Sequence, residues 1–212
     1  MWEYRLIWTS AAPSWWEDAW KTAEVLFQRE NRMLEGRPDS YLVLHDRPDV
    51  GLKLRGGAED EFDMKVRHSR KHGWELWEKI TFFRWNNVEA RRFAAALQRD
   101  LPLDAVTSES APAAGVKRIL SAADIEGIVR QVEKRRMQAR ADELLPKFVE
   151  AIQPSWLAEL VEFRTRNNGR LVRSICLETM SPSAGAAPLE PEGALCVGYP
   201  EFLIRYSNGE IE

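Results

Sequence analysis

Lysine and arginine recur in several separate stretches of this chain, and nearly all of them stand next to an apolar residue. The basic residues in question are Arg5, Lys53, Arg55, Lys65, Arg67, Lys134, Arg136 and Arg164. Successive residues of a strand point to opposite faces, so this alternation predicts strands that each carry one charged face. Lysine and arginine gathered in this way can hold an anion with many oxygen atoms, above all a phosphate chain.

Carboxylates accompany the basic residues on the same predicted faces, at Glu3, Glu162 and Glu178. Carboxylate oxygens are the ligands that a hard cation such as Mg²⁺ or Mn²⁺ prefers. A metal beside the basic residues would neutralise charge on a bound polyphosphate. The plainer alternative is that these carboxylates pair with neighbouring arginines.

Two arrangements of the strands are open. On a flat antiparallel sheet the charged faces meet water and need no ligand. If the strands curl round, the same faces line the inside of a barrel, and buried lysine and arginine then require an anionic ligand to offset their desolvation. We favour the second arrangement, an α+β fold with an antiparallel barrel or tunnel of about eight strands flanked by helices. No composition shift marks a boundary, so residues 1–212 are predicted to form one domain.

Three stretches carry the clearest strand signals. Residues 1–8 alternate between aromatic or aliphatic and charged side chains. Residues 50–67 read as two alternating strands joined through Gly56-Gly57, which predicts a hairpin. Residues 160–166 and 171–180 flank an Asn-Asn-Gly-Arg turn, which predicts a second hairpin.

Helices are predicted beside these strands. Ser14 as N-cap, with Glu17 three residues later, predicts a helix that ends at Gly36. Two more helices are predicted, over residues 87–100 and 199–206.

The middle of the chain is less clear. Residues 108–115 are predicted to be a loop, and Ser121 to begin a short helix. Residues 131–139 fit either a strand or a continuation of that helix, and we favour the strand.

Composition narrows the function classes. The net charge of −3 argues against general nucleic-acid binding and against a membrane-surface protein. Only two cysteines occur, no signal peptide or long apolar run is present, and the three histidines form no ligand pattern with the cysteines. These features predict a cytoplasmic protein without a structural zinc. They give no prediction of oligomeric state.

The order and type of these motifs resemble the triphosphate tunnel metalloenzymes, the CYTH superfamily. The resemblance rests on residues 41–46, on Leu52-Lys53-Leu54-Arg55, on Asp63-Met64-Lys65 and on Lys134-Arg135-Arg136. It implies that these side chains line a tunnel, bind a triphosphate with Mg²⁺ or Mn²⁺, and hydrolyse it or transfer a group from it.

The chain departs from the family pattern where the metal would bind. Its first strand reads Glu3-x-Arg5-x-Ile7 instead of Glu-x-Glu-x-Lys, and Cys176 stands where the last strand should carry a carboxylate. An arginine would repel a neighbouring metal.

We therefore expect phosphate binding to be better preserved than metal-dependent chemistry. The predicted function is binding, with Mg²⁺-dependent hydrolysis as its catalytic form, of inorganic tripolyphosphate, thiamine triphosphate or a nucleotide. The alternative is a non-catalytic ligand-binding or protein-interaction module on the same fold. The residues single out no catalytic group.

Overall fold

The computed structural model describes residues 1–30, 32, 36–54, 62–103, 111–165, 170–181 and 188–211. The strands in this part of the chain are β1 Trp2–Trp8, β2 Arg37–Leu44, β3 Val50–Leu54, β4 Phe62–Lys71, β5 Trp74–Phe82, β6 Gly127–Arg140, β7 Leu157–Thr165, β8 Leu171–Thr179 and β9 Leu195–Cys196. The helices are α1 Ser14–Arg29, α2 Asn87–Leu97, α3 Pro112–Ala122, α4 Ala141–Leu144 and α5 Tyr199–Ser207, with a 3₁₀ turn at Pro146–Phe148.

The strands form one antiparallel sheet in the order β5-β4-β3-β2-β6-β7-β8-β1-β9. A further pairing between β1 and β5, with Glu3 opposite Glu75, brings the two sides of the sheet together. The sheet is therefore ring-like, and helices flank it. The predicted α+β class and the antiparallel, curled arrangement are confirmed.

The outer face of one half of the ring packs against α1 and α4. Tyr4, Leu6 and Trp8 of β1 lie in this cluster and are almost completely buried. On the helix side the rings of Trp16 and Trp20 stack with their centroids 5.2 Å apart. Because these apolar residues face outward, the alternate residues of β1 must point into the ring.

The outer face of β3, β4 and β5 packs in the same way against α2 and α3. Phe62 and Met64 meet Phe93 of α2 and Trp85 in this second cluster. The same alternation sends Asp63 and Lys65 of β4 into the ring.

Helix α5 packs on the inner face of the sheet and fills part of the ring. Its Phe202, Leu203 and Ile204 form a cluster with inward-facing apolar residues of β1, β2, β6, β7 and β8, which are Ile7, Val43, Val132, Val161, Phe163 and Val172. The N-terminus of α5 approaches the strands closely. A Cβ atom on Gly198 would lie 2.8 Å from Glu75 Oε2 and from the ring of Trp77.

The hairpins agree with their predictions at the level of strand pairing. Val50 of β3 pairs with Val66 of β4, and Leu157 of β7 pairs with Glu178 of β8. Both connecting turns, 55–61 and 166–169, lie outside the described residues.

Two predictions for the middle of the chain were wrong, and one open choice is settled. The predicted loop 108–115 gives way at Pro112 to α3, whose buried face includes Ala113, Gly115 and Val116. Residues this small do not show the bulky apolar periodicity by which a helix is recognised. The same helix ends at Ala122, so no helix begins at Ser121, and residues 131–139 belong to strand β6.

The first helix also differs from its prediction at both ends. Pro13 is its N-cap residue, Ser14 is already helical, and no side-chain capping bond forms. The helix ends at Arg29 and not at Gly36.

Candidate functional site

A cavity of about 670 Å³ occupies the part of the ring that α5 leaves open. Among the described residues, its wall carries six basic side chains and five carboxylates. The basic residues are Arg5, Lys53, Lys65, Lys79, Lys134 and Arg136, and the carboxylates are Glu3, Asp63, Glu78, Glu159 and Glu178. This volume lies within the range of small-molecule sites.

Three lysines of the wall have a carboxylate partner from another strand. Lys65 donates a hydrogen bond to Glu3. Lys53 lies 2.7 Å from the fully buried Asp39, and Lys79 lies 3.1 Å from Asp63. The side chains of Lys65 and Lys79 line the cavity and remain 35% and 40% exposed.

A second group, the Glu159 cluster, consists of Glu159 with Arg5, Lys134 and Arg136. The Oε1 atom of Glu159 accepts a hydrogen bond of 3.2 Å from Arg5 and lies 3.9 Å from the Lys134 ammonium. Its Oε2 atom accepts a hydrogen bond from Arg136. One buried carboxylate therefore faces three cations.

Burial sets the electrostatics of this cluster. It lowers the pKa of Lys134 to about 7, an effect that Glu159 opposes and that Lys53, Arg5 and Arg136 reinforce. Burial also opposes ionisation of Glu159, but Lys134, Arg5 and Arg136 outweigh it and hold the pKa of Glu159 well below its usual range. Glu159 is thus charged, whereas Lys134 is divided between ammonium and amine near neutral pH.

Two tyrosines complete this part of the wall. The Arg5 guanidinium lies 4.1 Å from the centroid of the Tyr199 ring, and Lys134 lies 5.2 Å from it. The Tyr199 hydroxyl shares a 2.7 Å hydrogen bond with Ser174. Burial raises the pKa of both Tyr199 and the neighbouring Tyr41, so both phenols keep their protons.

Glu178 faces the cavity with a polar but uncharged partner. It lies directly opposite Glu3 in the pairing of β1 with β8, and Gln138 donates a 2.9 Å hydrogen bond to it. Burial raises the pKa of Glu178, and the nearby Glu159 and Glu3 raise it further. Burial likewise raises the pKa of the Cys176 thiol on the same strand.

The structure brings most of the predicted site residues into one place. Arg5, Lys53, Lys65, Lys134 and Arg136 line the cavity, as do Glu3 and Glu178. Arg67 lies beside the cavity, where it forms ion pairs with Glu75 and with Glu201 of α5. Arg55 lies outside the described residues.

Glu162 and Arg164 are placed elsewhere, on the outer surface of β7. Glu162 pairs there with Arg135 and Arg173, each at 3.2 Å, and Arg164 is exposed. The expectation that the charged face of β7 points inward fails because Val161 and Phe163 face α5 inside the ring. Helix α5 provides an apolar surface inside the ring against which Val161 and Phe163 pack. The alternation within β7 did not reveal that this surface exists.

Sequence reasoning also missed residues of the site. Glu159 was not considered because the predicted strand began at Leu160, whereas β7 begins at Leu157. Lys79 lies on the same face of β5 as Glu75 and Trp77, so the period-two pattern contained the signal for it. Tyr199 enters the cavity from a helix, and no strand pattern could have located it.

Of the three predicted ligands for Mg²⁺ or Mn²⁺, Glu3 and Glu178 line the cavity and Glu162 does not. Among the residues described, no group of three or more histidine, cysteine, aspartate or glutamate side chains is placed to hold a metal ion. Glu162 lies on the opposite face of its strand from the cavity. Glu3 accepts a hydrogen bond from Lys65 and has the Arg5 guanidinium at 3.6 Å. The described donors therefore do not fit a divalent cation, and metal binding stays a prediction.

Comparison with known proteins shows only distant likenesses. No family model matches the chain, and no curated protein matches it significantly. A conserved hypothetical protein from Pyrococcus furiosus superposes with a TM-score of 0.45 and 11% identity, over 94% of this chain and 98% of its own. A protein from Pyrococcus horikoshii superposes with a TM-score of 0.44 and 13% identity, over 94% of this chain and 98% of its own.

A protein from Bacillus halodurans, provisionally named an adenylate cyclase, gives a TM-score of 0.35 and 12% identity over 84% of this chain and 81% of its own. Likenesses at this level carry no functional argument.

In the described part of the chain, no helix has the length and apolar character needed to cross a membrane.

Proposed function

We propose that the cavity binds a triphosphate-bearing small molecule, such as inorganic tripolyphosphate, thiamine triphosphate or a nucleotide. The observation that carries this proposal is the convergence of six basic side chains from five strands on one cavity. A phosphate chain presents several charged oxygens along its length, so it can meet basic groups that arrive from different directions. The resemblance of the basic strands to the triphosphate tunnel metalloenzymes supports the same ligand class.

The energetics of the cavity favour an anionic ligand. A buried cation is costly unless an opposite charge or hydrogen-bond acceptors compensate it. Compensation is least complete in the Glu159 cluster, where three cations share one carboxylate. Phosphate oxygens placed there, and beside the more accessible Lys65 and Lys79, would supply the missing negative charge.

The arrangement favours binding over turnover. Hydrolysis of a triphosphate relies on a metal ion that neutralises charge developing on the phosphate oxygens. Glu3 is already held by Lys65 and lies beside Arg5, and burial, together with Glu159 and Glu3, raises the pKa of Glu178. We therefore propose a ligand-binding module whose phosphohydrolase activity is weak or absent.

Calorimetric titration with tripolyphosphate tests the proposal, using adjacent residues of one strand as a matched pair. Arg136 points into the cavity, whereas Arg135 points outward and lies over the ring of Trp20. Arg136→Ala should weaken binding about 10- to 100-fold, since a charge-assisted hydrogen bond contributes roughly 1.5–3 kcal/mol. Arg135→Ala should bind within about twofold of the wild type, because exposed charges contribute little.

Equal losses in the two variants would assign the effect to general surface charge. Absence of tripolyphosphate binding by the folded wild-type protein would refute the proposed function.

A further inference from the structure

The Glu159 cluster has more positive charge than its own carboxylate can neutralise. Arg5 has a second partner in Glu3 at 3.6 Å, and Lys53 nearby has Asp39 at 2.7 Å. The partner of Lys134 is Glu159 at 3.9 Å, which exceeds hydrogen-bond distance. Lys134 is therefore the cation of the cluster that is least well compensated.

The surroundings of Lys134 are closed and mostly positive. Its side chain is 5% exposed. The charged or titratable groups around it are Arg5 on β1, Asp39 and Tyr41 on β2, Lys53 on β3, Arg136 on β6, Glu159 on β7 and Tyr199 on α5. The two tyrosines stay neutral. Asp39 is the partner of Lys53 at 2.7 Å, and Glu159 is the carboxylate that faces Lys134, Arg5 and Arg136.

We propose that Lys134 and Arg136 form a buried anion subsite, and that the Lys134 side chain takes up a proton from solvent when a phosphate group binds there. This inference rests on the proposed function and identifies where one phosphate of the ligand is held. The proton converts the amine of Lys134 to an ammonium group, which then donates hydrogen bonds to phosphate oxygens. No covalent bond other than this N–H bond changes.

The direction of the linkage follows from the charges. Burial favours the amine in the unliganded cavity, where the pKa of Lys134 is about 7. An anion placed beside Lys134 favours the ammonium form and raises that pKa. Below pH 7 the side chain is already charged and little proton uptake accompanies binding. Above pH 7 uptake approaches a full proton per ligand, and the affinity should fall as pH rises.

Calorimetric titration with tripolyphosphate, in two buffers of different protonation enthalpy at about pH 8, measures the proton count directly. The matched variant is Lys134→Arg, which keeps the positive charge but stays protonated at every accessible pH. Protons exchanged by tripolyphosphate itself contribute to both titrations and cancel in the difference. We expect the wild type to take up about one more proton per ligand than the variant. The ratio of wild-type to variant affinity should fall up to about tenfold per pH unit above 7.

Lys134→Met provides a second comparison, because its side chain is similar in length and never charged. It should lack the additional proton uptake. Its affinity should differ most from that of the wild type at about pH 6, where the wild-type side chain is charged. If Lys134→Arg does not fold, this comparison decides the question.

Tight binding with the same proton uptake in the wild type and in a folded variant would overturn the inference and leave the proposed function standing. Failure of tripolyphosphate to bind the wild type at any pH would overturn both.

Discussion

Glu159 is the residue on which the charges of the cavity depend. It is the carboxylate shared by Arg5, Lys134 and Arg136, and it is almost fully buried. Removing one partner of a buried ionic group is costly because it leaves the other charge desolvated and uncompensated. At Glu159 that cost applies to three cations together.

Glu159→Gln should therefore lower the free energy of unfolding by about 3–5 kcal/mol, measured by denaturant titration. Glu162→Gln is the matched control, because Glu162 lies on the same strand but pairs with Arg135 and Arg173 on the outer face. Its effect should stay within about 1 kcal/mol. Added tripolyphosphate should restore part of the stability of Glu159→Gln, since a ligand bound by the folded state alone stabilises it. Equal losses in the two variants would show that the cations of the cluster do not depend on Glu159.

At the level of single residues, alternation predicted the inward positions wherever one face of a strand was clearly apolar. Arg5, Lys53 and Lys65 follow this rule, because their neighbours along the strand pack under α1, α2 or α3. It failed for Glu162 and Arg164, because each face of β7 over residues 157–163 carries apolar residues together with one glutamate. The sequence pattern then contained no information on which face α5 would cover.

Helix α5 is the element that turns a ring of strands into a cavity with a closed side. Its apolar residues cover the inner face around Val161 and Phe163, while Tyr199 at its start reaches Arg5. Glu201 on the same helix pairs with Arg67 and Arg70 of β4. The position of α5 is thus set by apolar packing together with the ion pairs of Glu201.

Gly198→Ala tests whether this placement shapes the site. Its Cβ atom would lie 2.8 Å from Glu75 Oε2 and from the Trp77 ring, so α5 or the β5 side chains must shift. We expect a loss of about 1–3 kcal/mol in the free energy of unfolding and weaker tripolyphosphate binding. Gly36→Ala is the control, because its nearest neighbour for a Cβ atom is the Glu133 side chain at 3.9 Å, an ordinary contact. Unchanged stability and affinity in Gly198→Ala would show that the helix terminus can move without affecting the cavity.

At the level of elements, strands with strict alternation and the closing helix were predictable, whereas the contacts between distant elements were not. Residues 112–122 escaped prediction because Ala113 and Gly115 pack by being small, with Trp85 directly over Gly115. The pairing of β1 with β5 joins residues about 70 positions apart and leaves no local signal in either strand.

Across the whole molecule, a net charge of −3 coexists with a cavity whose wall gathers six basic residues and five carboxylates. Outer-face carboxylates such as Glu162 pair with surface arginines, while the basic residues that line the cavity come from five strands between Arg5 and Arg136. Such an arrangement suits a small anion that can enter the ring.

The metal dependence of the whole protein separates a binding module from a hydrolase. Arg5 lies between Glu3 and Glu159, and its guanidinium supplies positive charge to the cavity without a metal. We therefore expect tripolyphosphate to bind in EDTA with an affinity within about tenfold of that in Mg²⁺ or Mn²⁺. Phosphate release should be weak or absent in all three conditions.

If slow release is found, Glu178→Gln should abolish it and spare binding, because the change keeps the shape of the side chain and removes its charge. Fast release that disappears in EDTA would contradict the binding-module proposal. It would show that bound triphosphate and metal together displace Lys65 and Arg5 from Glu3, so that Glu3 and the opposite Glu178 become free to act as ligands.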